Sequence, residues 1–246
     1  KIEDPRWLYW CDRLGLLAWV EMPNAREWSQ LAEERLAAEW KRAVQRDYNH
    51  PSVVLWGLGN EIYADNPNVT RVLEGLQAVA KEMDPSRPTT YAHCCQADDH
   101  PKARVSDVIG FNRYFGWYKD QSGQTMGAWA KGFHAAHPDR AFGVSEYGAG
   151  ASILDQADPP GTVDPASGWH PEQYQAEYHE RNWRDLADKP YLFATFIWVE
   201  FDFASAGRNE GDRRGINDKG LVTYDRKVRK DAYYWYQANW SDKPMV

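Results

Sequence analysis

Two glutamates stand at the ends of apolar runs. Val53-Val54-Leu55-Trp56-Gly57-Leu58-Gly59 leads through Asn60 into Glu61, and Phe142-Gly143-Val144-Ser145 leads into Glu146. A charge directly after a buried strand is costly unless it is used or paired. One such glutamate reads as a salt-bridge partner for a nearby arginine; two at equivalent positions point to shared chemistry. Two carboxyl groups flanking one bond are what hydrolysis of a glycoside needs, one giving a proton and the other attacking or activating water.

The elements that must carry these side chains alternate between short apolar strands and amphipathic helices, the pattern of repeated βα units with a parallel sheet. Asp4 caps a helix with Pro5 at its first position, and this helix ends near Gly15. A strand reads Leu16–Val20. A helix from about Glu27 to Tyr48 sets Trp28, Leu31, Leu36, Trp40 and Val44 near one stripe. The strand Val53–Gly59 is nearly all apolar, as strands buried on both faces are. Val69, Val72, Leu73, Leu76, Val79, Ala80 and Met83 mark the next helix, which Asp84–Pro88 stops. Strand-like runs recur at Thr89–His93, Val108–Tyr114, Phe142–Ser145 and Leu192–Phe201. Helices are expected over Gly127–Ala136, Pro171–Leu186 and Arg229–Ala238, and a surface loop over Asp155–Gly168. Most tryptophans belong to the core on this reading, Trp7, Trp10, Trp19 and Trp40 among them.

A closed (β/α)8 TIM barrel needs eight strands, and the pattern supplies six. The fold is therefore read as a TIM barrel truncated at its N-terminal side by two βα units, a piece of a longer polypeptide. An open six-stranded sheet is the alternative. In such barrels the working residues lie at the C-terminal ends of strands, where both glutamates fall.

The 246 residues fit one large domain, and their 43% hydrophobic content suffices for a core. A formal charge of -7 without a basic cluster argues against nucleic acid. No apolar run approaches the roughly 20 residues that span a bilayer, so a membrane partner is not expected. Of three cysteines, Cys94 and Cys95 are adjacent and Cys11 is distant. Neither a disulfide framework nor a metal cluster is expected from that spacing, and the thiols are read as buried or inert. No cofactor or metal is called for. The protein is read as soluble, its compartment (cytoplasmic, periplasmic or secreted) and any homo-oligomer left open.

Asn49-His50-Pro51-Ser52-Val53-Val54-Leu55-Trp56-Gly57-Leu58-Gly59-Asn60-Glu61 closely resembles the acid/base segment of glycoside hydrolase family 2. Ser145-Glu146-Tyr147-Gly148-Ala149 resembles that family's nucleophile segment, Phe111–Tyr118 its sixth-strand segment, and Asn217-Asp218-Lys219-Gly220-Leu221-Val222 its C-terminal loop. The resemblance implies a retaining β-glycosidase on a barrel preceded by β-sandwich domains, with carbohydrate as substrate. It implies that Glu61 is the general acid/base and Glu146 the nucleophile. Asn60 would bind the 2-hydroxyl of the sugar, Asn112 would be a further substrate-binding residue, Tyr114 would hold Glu146, and Trp198 would offer an aromatic face to the sugar, with Trp117 a further candidate. Retention calls for carboxyl groups about 5–5.5 Å apart. Gly143-Val144-Ser145 is also similar to a nucleophile elbow, but Tyr147 stands where its second glycine belongs, so Ser145 is not read as a nucleophile.

Met22–Ser29 lacks the histidine with which some relatives bind magnesium, and Ala149 replaces a histidine after the nucleophile. Asn217 and Lys219 match the Asn-x-Lys pair that glucuronidases direct at a uronate carboxylate. The wider segments Phe201–Ser205, Gly207–Gly211 and Gly215–Asp225 look more like one branch of β-galactosidases. On balance β-galactosidase is expected, with β-glucuronidase as the alternative. A non-catalytic or inactive barrel fragment that only binds carbohydrate is the reading of another class, and the isolated piece is expected to hydrolyse little.

Overall fold

The computed structural model describes residues 2–26, 30–118 and 123–243, and the side chains of these apart from residues 30–34. The stripe position Trp28, and the side chain of Leu31, lie outside the described residues.

The chain forms two compact units, one of residues 1–112 and 138–143, the other of residues 113–137 and 144–246. The first opens with α1 (Pro5–Leu14), where the Asp4 side chain accepts from Arg6 N and Gly15 closes the helix. Then come β1 (Ala18–Glu21), α2 (Gln30–Asp47), β2 (Val53–Asn60), α3 (Pro67–Met83), β3 (Thr89–His93), a 3₁₀ turn (Pro101–Arg104) and β4 (Ile109–Asn112). Strands β1 to β4 pair in chain order, all parallel. Their side chains are buried almost throughout because helices cover them, as expected of a parallel sheet. Trp40 of α2 and Trp56 of β2 are fully buried and meet edge to face with ring centroids 5.9 Å apart. A buried polar knot closes this unit. Asp84 accepts from Trp56 Nε1, Ser86 and Arg87. Burial opposes its charge, yet these donors hold its carboxyl well below the usual range.

The second unit holds α4 (Met126–Ala136), most of β5 (Phe142–Tyr147), α5 (Glu172–Leu186), β6 (Leu192–Ile197), a two-stranded antiparallel ribbon β7 (Phe203–Ala204) and β8 (Ile216–Asn217), and α6 (Asp231–Trp240). β5 starts in the first unit and ends in the second, where β6 follows it in the sheet. Each of the six strands read from sequence has its counterpart among β1 to β6.

Three expectations need correction. Glu146 lies inside β5 rather than after it, because the extended backbone continues through Tyr147. Cys94 and Cys95 are joined to each other in a disulfide, while Cys11 is buried and free. Spacing rules look for bridges between distant segments, and this bridge forms within one turn, with Cys95 at φ 68°. Trp7 and Trp10 are about half exposed, since they fall off the one buried stripe of α1, which carries Leu8 and Cys11.

Candidate active site

In the first unit, β2 delivers Asn60 and Glu61 to its C-terminal end. Gly59 takes φ 151° there, and a β-carbon on it would stand 2.4 Å from Asn24 O, so only glycine permits this close approach. Glu61 itself has φ 47°, a left-handed conformation that costs a residue with a β-carbon roughly 1–2 kcal/mol. Neighbouring backbone holds it there: Glu61 N donates to Ala92 O at 2.9 Å, and Arg26 N donates to Glu61 O at 3.1 Å. Strain of this kind persists where the surroundings over-determine it, as functional sites do.

Asn112, at the end of β4 and 1% exposed, donates from Nδ2 to Asn60 Oδ1 at 3.0 Å and to Glu61 Oε1 at 2.9 Å. Tyr63 donates its hydroxyl to Glu61 Oε2 at 3.3 Å, with the Arg26 guanidinium 6.0 Å from its ring centre. Three sequence candidates, Asn60, Glu61 and Asn112, are thus brought together. Another carboxylate stands at the end of β1, where burial, helped by the charge of Glu61, pushes Glu21 up to about 7.

In the second unit, Tyr114 donates its hydroxyl to Glu146 Oε2 at 2.6 Å, a short charge-assisted bond. Trp198 follows β6; its N donates to Tyr147 O at 2.8 Å, and Val199 N donates to Lys219 O at 3.2 Å. These backbone bonds stitch the strand of Glu146, the Trp198 turn and the Lys219 loop together. Asn217 and Lys219 are 3% and 1% exposed. Asn217 Oδ1 accepts from Lys219 N at 3.1 Å. Lys219 Nζ lies 5.4 Å from the Trp117 ring centre and 5.3 Å from that of Tyr118, and no carboxylate among the described residues pairs with it. Trp117 is therefore buried as the floor of a cation site, with His170 edge-on to it at 5.0 Å. It is not an open sugar platform.

Sequence reasoning missed the residues that fasten this loop. His170 Nδ1 bonds Asp218 Oδ2 at 2.6 Å, and Lys230, 1% exposed, donates to Ala151 O, Asp202 Oδ1 and Asp218 O. Burial opposes the Asp218 charge, but the bond to His170 together with the charges of Lys230 and Lys219 holds the carboxyl below its usual range. Asp218 was visible beside Lys219, whereas His170 and Lys230 lie in segments with no motif. His93 is fully buried, and His134 stacks on Tyr191 at 4.1 Å. Among the described residues there is no cluster of metal-ligating side chains and no helix long and apolar enough to cross a membrane.

The chain is similar to several known proteins. A Bacteroides fragilis β-glucuronidase is 40% identical over 249 residues, covering 96% of this chain and 35% of the relative. A crystal structure of a B. fragilis protein provisionally described as a β-galactosidase superposes with TM-score 0.93 at 33% identity, covering 99% of this chain and 36% of that one. The FMN-binding β-glucuronidase of Facaelibacterium prausnitzii L2-6 superposes with TM-score 0.90 at 38% identity, covering 99% and 38%. The chain spans about a third of the length of the relatives it matches. Residues 3–242 match the family model described as "Glycosyl hydrolases family 2, TIM barrel domain". With strands, helices and both glutamate segments accounted for, the chain belongs to glycosyl hydrolase family 2, as its TIM barrel domain.

Proposed function

We propose that this domain carries the catalytic carboxylates of a retaining β-glucuronidase. Glu61 protonates the leaving oxygen and later deprotonates water; Glu146 attacks the anomeric carbon and forms the covalent glycosyl-enzyme. Tyr114 fixes the aim of Glu146, and Asn112 fixes both Asn60 and Glu61, leaving Asn60 to meet the 2-hydroxyl. Trp198 offers its face to the sugar ring. Donors aimed at each glutamate argue against a domain that merely binds sugar, for which such restraint has no use.

Lys219 is the observation that carries the choice of sugar. A buried ammonium is costly without a partner, and two aromatic faces compensate only in part. A uronate carboxylate completes the site with a charge-assisted bond, from Lys219 and from the Asn217 amide. The neutral C6 hydroxymethyl of a galactoside offers that cation an acceptor oxygen but no charge. The name of the 40% identical relative supports the same choice, so the galactoside expectation drawn from the wider C-terminal loop gives way to its alternative.

The test compares kcat/KM for nitrophenyl glucuronide and nitrophenyl galactoside in the protein that carries this chain. Glucuronide is expected to be preferred. Lys219→Met is expected to erase that preference by lowering glucuronide turnover roughly a hundredfold, the scale of unpairing a buried charge pair. A galactoside preference in the unmodified protein overturns the reading. For the carboxylates, Glu146→Gly with azide is expected to yield the glycosyl azide of inverted configuration, which identifies the nucleophile.

A further inference from the structure

We infer that Lys102 is a positioning residue for Glu61, acting through the turn that follows it; the inference rests on Glu61 being the general acid/base proposed above. The left-handed φ of Glu61 sends the chain away from β2 into an irregular turn, and backbone polar groups there must find partners. Ile62 N donates to the Tyr91 hydroxyl at 3.0 Å, and Tyr63 N donates to Arg26 O at 3.0 Å. The carbonyls are taken by side chains from one segment, residues 96–102, between β3 and β4. Lys102 Nζ donates to Ile62 O at 2.7 Å and to Ala64 O at 3.0 Å. Gln96 Nε2 donates to Tyr63 O at 3.0 Å. His100 Nε2 adds a bond to Asp65 Oδ1 at 3.0 Å, while its Nδ1 accepts from Lys102 N and so fixes the 3₁₀ turn. Three successive carbonyls and the next side chain are gripped from one side.

Lys102 is the costly member of this grip. It is 1% exposed, forms no ion pair among the described residues, and burial lowers its pKa. Ile62 is 2% exposed, so its carbonyl lies where water does not reach it, and one buried ammonium ties it to Ala64 O and fixes the geometry of the turn. The turn it holds contains both the backbone of Glu61 and Tyr63, the donor to Glu61 Oε2. Loosening the turn therefore shifts the carboxyl and one of its restraints together. Displacements of about 1 Å in reacting groups are enough to cost roughly a hundredfold in rate.

A general acid matters most when the leaving group is poor. An alkyl glycoside cannot depart without a proton, whereas a dinitrophenyl glycoside departs as a stable phenolate. Lys102→Met is therefore expected to lower kcat/KM for an alkyl glucuronide roughly ten- to a hundredfold, part of the 10²–10⁴ that a positioned general acid supplies, and to leave the dinitrophenyl glucuronide within about threefold. Equal losses on both substrates, or no loss on the alkyl substrate, overturn the inference. Should Lys102→Met fail to fold by circular dichroism, Gln96→Ala decides, since it frees only Tyr63 O. It is expected to show a split of about threefold in the same direction, and no split overturns the inference. Glu61→Ala runs beside them. A split there with none at Lys102 overturns the positioning role alone; no split at Glu61 removes the acid/base reading and this inference together.

Discussion

Replacing Tyr114 by Phe keeps the ring, which is 7% exposed and packs edge-on to Tyr118 at 5.2 Å, and deletes one hydroxyl. That hydroxyl donates to Glu146 Oε2 at 2.6 Å. Two effects oppose each other. A hydrogen bond to an ionised group is worth about 1.5–3 kcal/mol, and it stabilises the free carboxylate more than the attacking one, so its loss by itself favours attack. The same bond fixes the rotamer that aims the carboxylate at the anomeric carbon, and orientation supplies up to about 7–11 kcal/mol of a barrier. Aim outweighs basicity, and kcat/KM should fall roughly ten- to a hundredfold at about 1.4 kcal/mol per decade. The assay is steady-state hydrolysis of nitrophenyl glucuronide together with a thermal melt. The melting temperature should fall by about 3–12 °C, the shift that about 1.5–3 kcal/mol produces in a domain of this size, with the transition still cooperative because packing is retained. A variant equal to or faster than the unmodified protein, with a cooperative melt, would mean that Tyr114 does not aim Glu146.

Further predictions follow from burial and close contact. Glu21 is held at about 7 by burial and the Glu61 charge, above its unfolded value of 4.5, so the folded state binds the extra proton and stability falls as pH rises across that window. Urea unfolding at pH about 5 and about 8 should show this loss, and Glu21→Gln should flatten it; an unchanged slope in the variant assigns it elsewhere. Gly148→Ala places a β-carbon 1.9 Å from Trp198 O, so backbone must move; a melting temperature and activity like those of the parent would contradict the contact. Trp40→Ala empties a fully buried site and removes the bond from Nε1 to Leu76 O at 3.2 Å, which should cost about 3–5 kcal/mol in urea unfolding. A loss under about 1 kcal/mol would mean the site collapses or was never packed.

The fold was legible where one physical signal dominated. Strand β2 reads from its apolar run because both its faces are covered, and α3 reads from its stripe because Val69, Val72, Leu73, Leu76 and Ala80 are its buried face. Boundaries slipped where the signal is mixed. Leu16 and Leu17 look like strand but are more than half exposed, and the strand starts at Ala18. The ribbon β7–β8 escaped because two residues per strand carry no period at all. The disulfide escaped because bridging neighbours depends on one turn's backbone, which adjacency in sequence does not reveal.

The candidate site divides along the same line. Residues that chemistry requires by type, Glu61, Glu146 and Asn60, sit at strand ends and can be named from the sequence. Of their restraints, Tyr114 and Asn112 could be named only through the family resemblance, and the others not at all, because any donor of suitable reach serves and its origin is set by the fold: the Lys102 ammonium comes from a 3₁₀ turn without a motif. Lys219 lies between these cases. Its motif was visible and pointed to a uronate, yet the surrounding loop, compared residue by residue, pointed to galactose. What separates the two readings is an environment, a cation 1% exposed over two aromatic rings, within the field of Asp218 but in ion-pair contact with no carboxylate among the described residues. Burial changes what a lysine needs, and burial is not written in the residue's identity. A surface lysine has water for a partner, whereas a buried one gains more from an anion than from a neutral group.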